Sequence, residues 1–221
     1  MMKVNMRDTI MQKLWESMKM GEIVLVERTD GGDQYFGFYQ LISWAKENGC
    51  NIVVVDILDS LHILMAKGKL AGLDVDALGE LNVLKLGGTI ETGNVIGWIK
   101  DISEPVIMAK KFGETYEKLL ESMSPLLTVT VGIEKLFIAS EISPQNIRVI
   151  ISAMARYVGN EKRISMLFLK TDVVGTLQPP VIALLEDIAT TVIQVSRKNR
   201  TTEFHVTKSV NKEIEGLMIK I

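Results

Sequence analysis

The amino-acid sequence predicts an α/β fold in three layers, a mainly parallel sheet with helices on both faces and a C-terminal antiparallel meander. Three observations carry that expectation. Runs such as Asn51-Ile52-Val53-Val54-Val55 lack polar alternation, as strands covered on both faces require. Those runs alternate with segments of helical period over most of the chain. Beyond residue 190 the helices give way to three strand-like runs with short polar connections.

The elements follow in order. Met6, Ile10, Leu14 and Met18 are spaced four apart, one stripe of an amphipathic helix that Gly21 ends. Residues 22–27 form a β-branched strand that leaves into Thr29-Asp30-Gly31-Gly32. Tyr35 to Asn48 reads as a helix, stopped by Asn48-Gly49. The second strand, Asn51 to Asp56, is followed by a helix over 57–68 and a short strand over 81–86. After the Gly-rich turn 87–93, residues 94–100 are expected to pair with that strand as a hairpin. Ser103-Glu104-Pro105 opens a long helix to about Met123, with Ser as cap and Pro in the first turn. Strands over 126–133 and 163–170 flank a helix over 144–158. A last helix follows Pro179-Pro180 and runs to about Asp187, and strands over 190–196, 202–208 and 213–221 close the chain. No repeat or linker interrupts the pattern. The whole of 1–221 reads as one domain, with an N-terminal helix in 1–20 and the meander in 190–221.

The chain has 221 residues, 47% hydrophobic and 24% charged with a formal net charge of −2, so a large core and a folded domain are expected. Cys50 is alone and His62 and His205 are the only histidines. Disulfide frameworks and His/Cys metal centres are therefore not expected, and a reducing cytoplasm suits the composition. No apolar run reaches the ~18–20 residues of a membrane span, and the N-terminus lacks the apolar core of a secretory signal. The charge balance argues against a general nucleic-acid binder.

Strand, Gly-rich turn and helix near the N-terminus form the arrangement in which loop amides and a helix N-terminus cradle phosphates. The residues are Glu27-Arg28-Thr29-Asp30-Gly31-Gly32-Asp33-Gln34-Tyr35. A phosphate loop of the form GxxxxGK[ST] needs a Lys for the phosphates and a hydroxyl for magnesium. Here Asp33 and Gln34 stand in those places, or Gln34 and Tyr35 if the register moves by one. At ~6 Å and an effective dielectric of ~20, exchanging an attractive for a repulsive unit charge costs roughly 5 kcal/mol per phosphate charge. Asp30 adds to the repulsion, and Arg28 is the one cation at hand to offset it.

The order of parts resembles the RecA-like ATPases, and most of all their KaiC-like archaeal branch. The resemblance rests on the N-terminal helix, the strand 22–27 before the Gly turn and Gly49-Cys50-Asn51-Ile52-Val53-Val54-Val55. It extends to the closing strands Ala189-Thr190-Thr191-Val192-Ile193-Gln194-Val195 and Phe204-His205-Val206-Thr207-Lys208. It implies positions for catalytic groups. The magnesium-shell Asp of the family falls on Gly132 at the end of 127–131, with Glu134 the candidate substitute. The acid that activates water falls on Asp56, whose plainer role is a strand-end or helix-capping carboxylate. Lys208 matches a Lys that reaches a neighbouring subunit's nucleotide, whereas Ser209 and Val210 replace the Arg and Gly that follow it in the family.

Those departures imply a RecA-like domain that has shed ATP hydrolysis, a pseudo-ATPase of an archaeal family of unknown function, with no cofactor and no metal. The abundance of charged residues and the scarcity of Cys and Gln suit a thermophile. The degenerate loop Arg28, Thr29, Asp30, Gly31, Gly32, Asp33 and Gln34 is the candidate ligand loop, and Asp56 and Glu134 are the candidate catalytic acids. What remains is a binding or assembly role: a protein or peptide partner taken up at an open sheet edge, or a second copy of the chain. Met1, Met2, Met6, Met11, Met18 and Met20 are a candidate contact face. The alternative is a divergent nucleotide-binding ATPase acting on nucleic acid through Arg28, Asp56 and Lys208. The basic residues Arg197, Lys198, Arg200, Lys208 and Lys212 fit either anion binding or protection of an exposed hairpin from edge pairing.

Overall fold

In the computed structural model, described for residues 6–29, 34–78, 80–138, 142–198 and 201–221, nine strands form one sheet in the order β4-β3-β2-β5-β6-β1-β7-β8-β9. The strands are β1 (Ile23–Arg28), β2 (Asn51–Ile57), β3 (Asn82–Leu86), β4 (Asn94–Ile99), β5 (Leu126–Val131), β6 (Arg163–Lys170), β7 (Thr191–Lys198), β8 (Thr201–Ser209) and β9 (Met218–Lys220). From β4 to β7 every pairing is parallel, and β7-β8-β9 is the expected antiparallel meander.

The helices are α1 (Met6–Glu16), α2 (Tyr35–Glu47), α3 (Ser60–Leu70), α4 (Pro105–Met123), α5 (Glu134–Ile138), α6 (Pro144–Ala155), α7 (Thr171–Val174) and α8 (Val181–Ile188). Strand alternation sorts them into two layers. Val24 and Val26 of β1 point into a cluster with Met11, Leu14 and Trp15 of α1 and Phe38, Leu41 and Ile42 of α2. Ile23 and Leu25 point the other way, to Met108 of α4, Ile147 and Ile150 of α6 and Leu185 of α8. Each such side chain contributes about 1.5–3 kcal/mol by leaving water. All six residues of β1 and of β5 are buried, which explains why these segments read as unbroken apolar runs.

Several expectations need correction. β4 is no hairpin partner: it runs parallel to β3, Asn82 facing Asn94 and Leu86 facing Ile99. Parallel neighbours ordinarily need a crossover of about a dozen residues or more. Here residues 87–93 suffice, because Gly87, Gly88 and Gly93 adopt positive φ and double the chain back without a helix. Local turn chemistry signalled the reversal but not its direction. Leu58 and Asp59, both with positive φ, separate β2 from α3, so the helix begins at Ser60 rather than at Ile57. The cap of α4 is Glu104, without a side-chain cap bond, while the Ser103 hydroxyl donates to Asp101. β5 ends at Val131, before the expected Ile133, and β9 spans far less than 213–221. Met11 and Met18 lie in the core, and Met20 is exposed. No helix among the described residues is long and apolar enough to cross a membrane.

Candidate functional site

The carboxyl ends of β1, β2, β5 and β6 meet at one end of the sheet, where open α/β sheets hold their ligands. A cleft of about 60 Å³ lies there, lined by Gln34, Ser60, Gly132, Glu134, Lys135 and Lys170 among others. Gln34 is buried and precedes the first turn of α2, its carbonyl accepting from the Phe38 amide at 3.0 Å. Asp30, Gly31, Gly32 and Asp33 of the candidate loop lie outside the described residues. Thr29 is exposed and Arg28 buried.

Gly132 sits at φ +80, and a Cβ added there would meet Ser60 Oγ at 2.0 Å and the Ile57 carbonyl oxygen at 2.8 Å. No side chain, carboxylate or otherwise, is accommodated at this strand end. Glu134 does not continue β5; it opens α5, only 5% exposed, with Oε2 lacking a hydrogen-bond partner. Burial holds its carboxyl above the ordinary glutamate range. The neighbouring Lys135 donates through Nζ to the Leu58 carbonyl at 2.7 Å, and burial lowers its pKa.

Asp56, at the end of β2, is 0% exposed and saturated by the chain itself. Its Oδ1 accepts from the Leu61 amide at 2.8 Å and its Oδ2 from Lys85 Nζ at 2.9 Å. Lys85, also fully buried, donates at 2.7 Å to Asp59 Oδ1. Asp59 further accepts the amides of Thr89 at 2.9 Å and Ile90 at 3.0 Å, which pins the 87–93 crossover to the end of β2. Burial raises the Asp59 pKa, but the Lys85 ammonium and these two amides outweigh it and bring it to about 2. For Lys85 desolvation works against the charge, and the two carboxylates more than restore it. Lys85 escaped the sequence reading. Its signal was available: a lysine inside a strand of a helix-covered parallel sheet must find an acid, and Asp56 ends the adjacent strand.

Glu27, at the end of β1, is buried and receives Gln194 Nε2 at 3.3 Å. Desolvation first, and then the Glu186 carboxylate, raise its pKa to about 6. Lys208 is exposed near the end of β8, its Nζ donating to the Glu186 carbonyl at 2.7 Å within the same chain. Among the described residues no three His, Cys, Asp or Glu side chains gather as a metal centre would need. The structure thus brings Gln34, Gly132 and Glu134 to one cleft, sets Asp56 beneath Lys85, and leaves Lys208 on the far side of the β1–β7 pair.

A family model described as "Pyrococcus protein of unknown function, DUF257" matches residues 13–220. The chain belongs to the DUF257 family. The expected archaeal family of unknown function agrees with this description. Among solved structures, a protein of Pyrococcus horikoshii OT3 described as a structural study is 28% identical. That match covers 95% of this chain and 97% of the other, at a TM-score of 0.81. No curated protein matches the chain. In this DUF257 chain the fold is a nine-stranded, mostly parallel α/β sheet whose carboxyl-end cleft is lined by Glu134, Lys135 and Lys170.

Proposed function

We propose that this DUF257 protein is a non-catalytic binding module on a RecA-like scaffold, and that it takes up an extended, basic segment of a protein partner along β4. The single observation that carries the reading is the unequal treatment of the two sheet edges. β9 is only three residues long, and Lys220 of that strand is tied to Glu203 at 2.7 Å, the charged, shortened form that deters pairing. β4 is twice as long and leaves Val95, Ile96, Gly97 and Trp98 half-buried. A shallow groove of about 510 Å³ runs beside it, rimmed by exposed Glu80 and Glu91. Main-chain bonds to an added strand supply affinity there, and the acidic rim selects lysine or arginine on the incoming segment.

The RecA-like part of the reading draws support from the order of strands, since one strand, β6, separates the loop-bearing β1 from β5. Hydrolysis lacks its groups: Gly132 admits no carboxylate, and Asp56 is spent on Lys85 and Leu61. The nucleic-acid alternative would call on the same Asp56, and on Lys208, whose ammonium is held by the Glu186 carbonyl.

Selection of extended peptides from a displayed library, followed by amide exchange of the bound protein, tests the reading. Enriched peptides should carry Lys or Arg and protect the amides of 95–99. The exposed pair of changes Glu80→Lys and Glu91→Lys should weaken them at least fivefold. Protection elsewhere, or a dimer that buries β4 against a second copy, would overturn the peptide assignment. Steady magnesium-dependent release of phosphate from ATP by the unaltered protein would overturn the non-catalytic one.

A further inference from the structure

On the opposite side of the sheet from α2, beneath α4 and α6, lies a cavity of about 80 Å³. Its walls are apolar along most of their length: Ile57 and Leu86 from the sheet, Met108 from α4, Ile150 and Met154 from α6. At the amino end of the strands the character changes. Arg163, the first residue of β6, is 3% exposed, and Tyr116, Tyr157, Thr128 and Ser165 surround it in the same wall. Thr128 and Ser165 face each other across β5 and β6, and Thr128 Oγ1 lies 2.6 Å from the Tyr116 hydroxyl.

A guanidinium keeps its charge at any pH a protein survives, so its burial demands compensation. What this chain provides is thin. Arg163 Nη2 donates to the Tyr157 carbonyl at 3.1 Å, and the guanidinium carbon lies 5.4 Å from the Tyr157 ring and 6.0 Å from the Tyr116 ring. Its Nε has no partner, nor has the buried Tyr157 hydroxyl. The groups that act on Arg163 are the Tyr116 side chain, by a hydrogen bond and by charge, and that of Tyr157, and no carboxylate is among them. Two aromatic faces offset only part of what the burial of a unit charge costs. A buried cation without an acid, two unpartnered polar atoms and an apolar channel leading away from them describe the two halves of an amphiphile's complement.

We propose that this cavity binds a small aliphatic carboxylate, its head on Arg163 and Tyr157 and its tail along the sheet beneath α4 and α6. The planar fork of arginine matches a carboxylate in two parallel bonds, and the tyrosine hydroxyl adds a third donor. From Arg163 to Leu167 the strand rises about 13 Å, the direction along which the tail lies, and a volume of about 80 Å³ limits that tail to a few carbons. The site is independent of the carboxyl-end cleft and of the β4 edge, since it shares no residue with either.

Titration with sodium butyrate, 1-butanol and butylammonium chloride separates head from tail, with the tyrosine ring protons followed by NMR. Butyrate should bind at millimolar concentration or below, at least tenfold tighter than the alcohol, and shift the Tyr116 and Tyr157 rings, while the ammonium should not bind. Arg163→Met should erase the preference for acid over alcohol, and Arg163→Lys should restore part of it. Ala153→Leu, which extends a cavity-lining side chain and leaves Arg163 in place, should weaken both ligands. Equal affinity of the unaltered protein for acid and alcohol, no binding of the acid at millimolar concentration, or shifts confined to residues outside the cavity would each overturn the proposal.

Discussion

Asp56, Lys85 and Asp59 form a buried cluster with two acids and one base, and its strength lies in completeness. Every oxygen of the Asp56 carboxyl has a donor, so the group behaves as part of the frame. Removing the base alone should cost far more than the pair contributes, because Asp56 is left buried and uncompensated. Lys85→Met is expected to lower unfolding free energy by about 3–5 kcal/mol in urea titration. Replacing Asp56 by Asn in the same chain should recover part of that loss. Glu27 is the opposite case, an acid whose surroundings favour the neutral form. Its folded pKa, about 6, exceeds the ordinary 4.5, so its contribution to stability is complete below pH 4.5 and is lost as pH rises through 6. Glu27→Gln should therefore stabilise the protein at pH 7.5 by roughly 1–2 kcal/mol, and the gain should vanish near pH 4, as measured by thermal melts across that range. Gly132 is the residue on which a hydrolytic reading would turn. Gly132→Ala should cost about 2–4 kcal/mol, from positive φ and from contact with the Ile57 carbonyl. Gly132→Asp should not install magnesium-dependent ATP binding, which isothermal titration would show directly.

At the scale of elements, the unusual unit is the β3–β4 crossover. Three glycines at positive φ make the path possible, and the carboxylate of Asp59 makes it unique by accepting the amides of Thr89 and Ile90. Asp59→Ala should release that staple while leaving β3 paired to β2. Hydrogen exchange at Thr89 and Ile90 is expected to speed up by an order of magnitude or more, corresponding to the loss of charge-assisted bonds of about 1.5–3 kcal/mol. Amides of β2 should change little. The hairpin expectation for 94–99 failed at this unit because glycine marks a change of direction, whereas the pairing partner and sense are chosen by burial. A hairpin would have sent β4 antiparallel along β3; the parallel return sets Ile96 against Leu84, Tyr116 and Leu120 under α4. α4 itself was legible to within a residue or two, since Pro105 and Ser124-Pro125 bracket it chemically.

Across the whole molecule, β1 lies beside the middle strand β6, with β7 on its other side and helices over both faces. Its amides should be among the last to exchange and should report global unfolding, while β4 and β9 open first at the two edges. That gradient, measured by native-state exchange in low urea, would invert if the sheet divided into separately unfolding halves. The candidate site at the carboxyl ends of the strands was partly visible beforehand. Gly132, Glu134 and Gln34 were picked from their positions after strands, and the fold does bring them to one cleft. Lys135 and Lys170 joined them unannounced, because nothing local to either lysine says which strand ends will be neighbours.

The sequence by itself determined the layered α/β class and the closing meander. Each of these depends on residues near one another in the chain, where period and turn chemistry are directly readable. Only the tertiary structure decided that β4 lies parallel to β3, that Asp56 belongs to Lys85, and that Arg163 is buried between two tyrosines at the end of an apolar cavity. Those facts join residues such as Tyr116, Tyr157 and Arg163 across separate elements. Their energies come from desolvation and close contact, which exist only after the elements have packed.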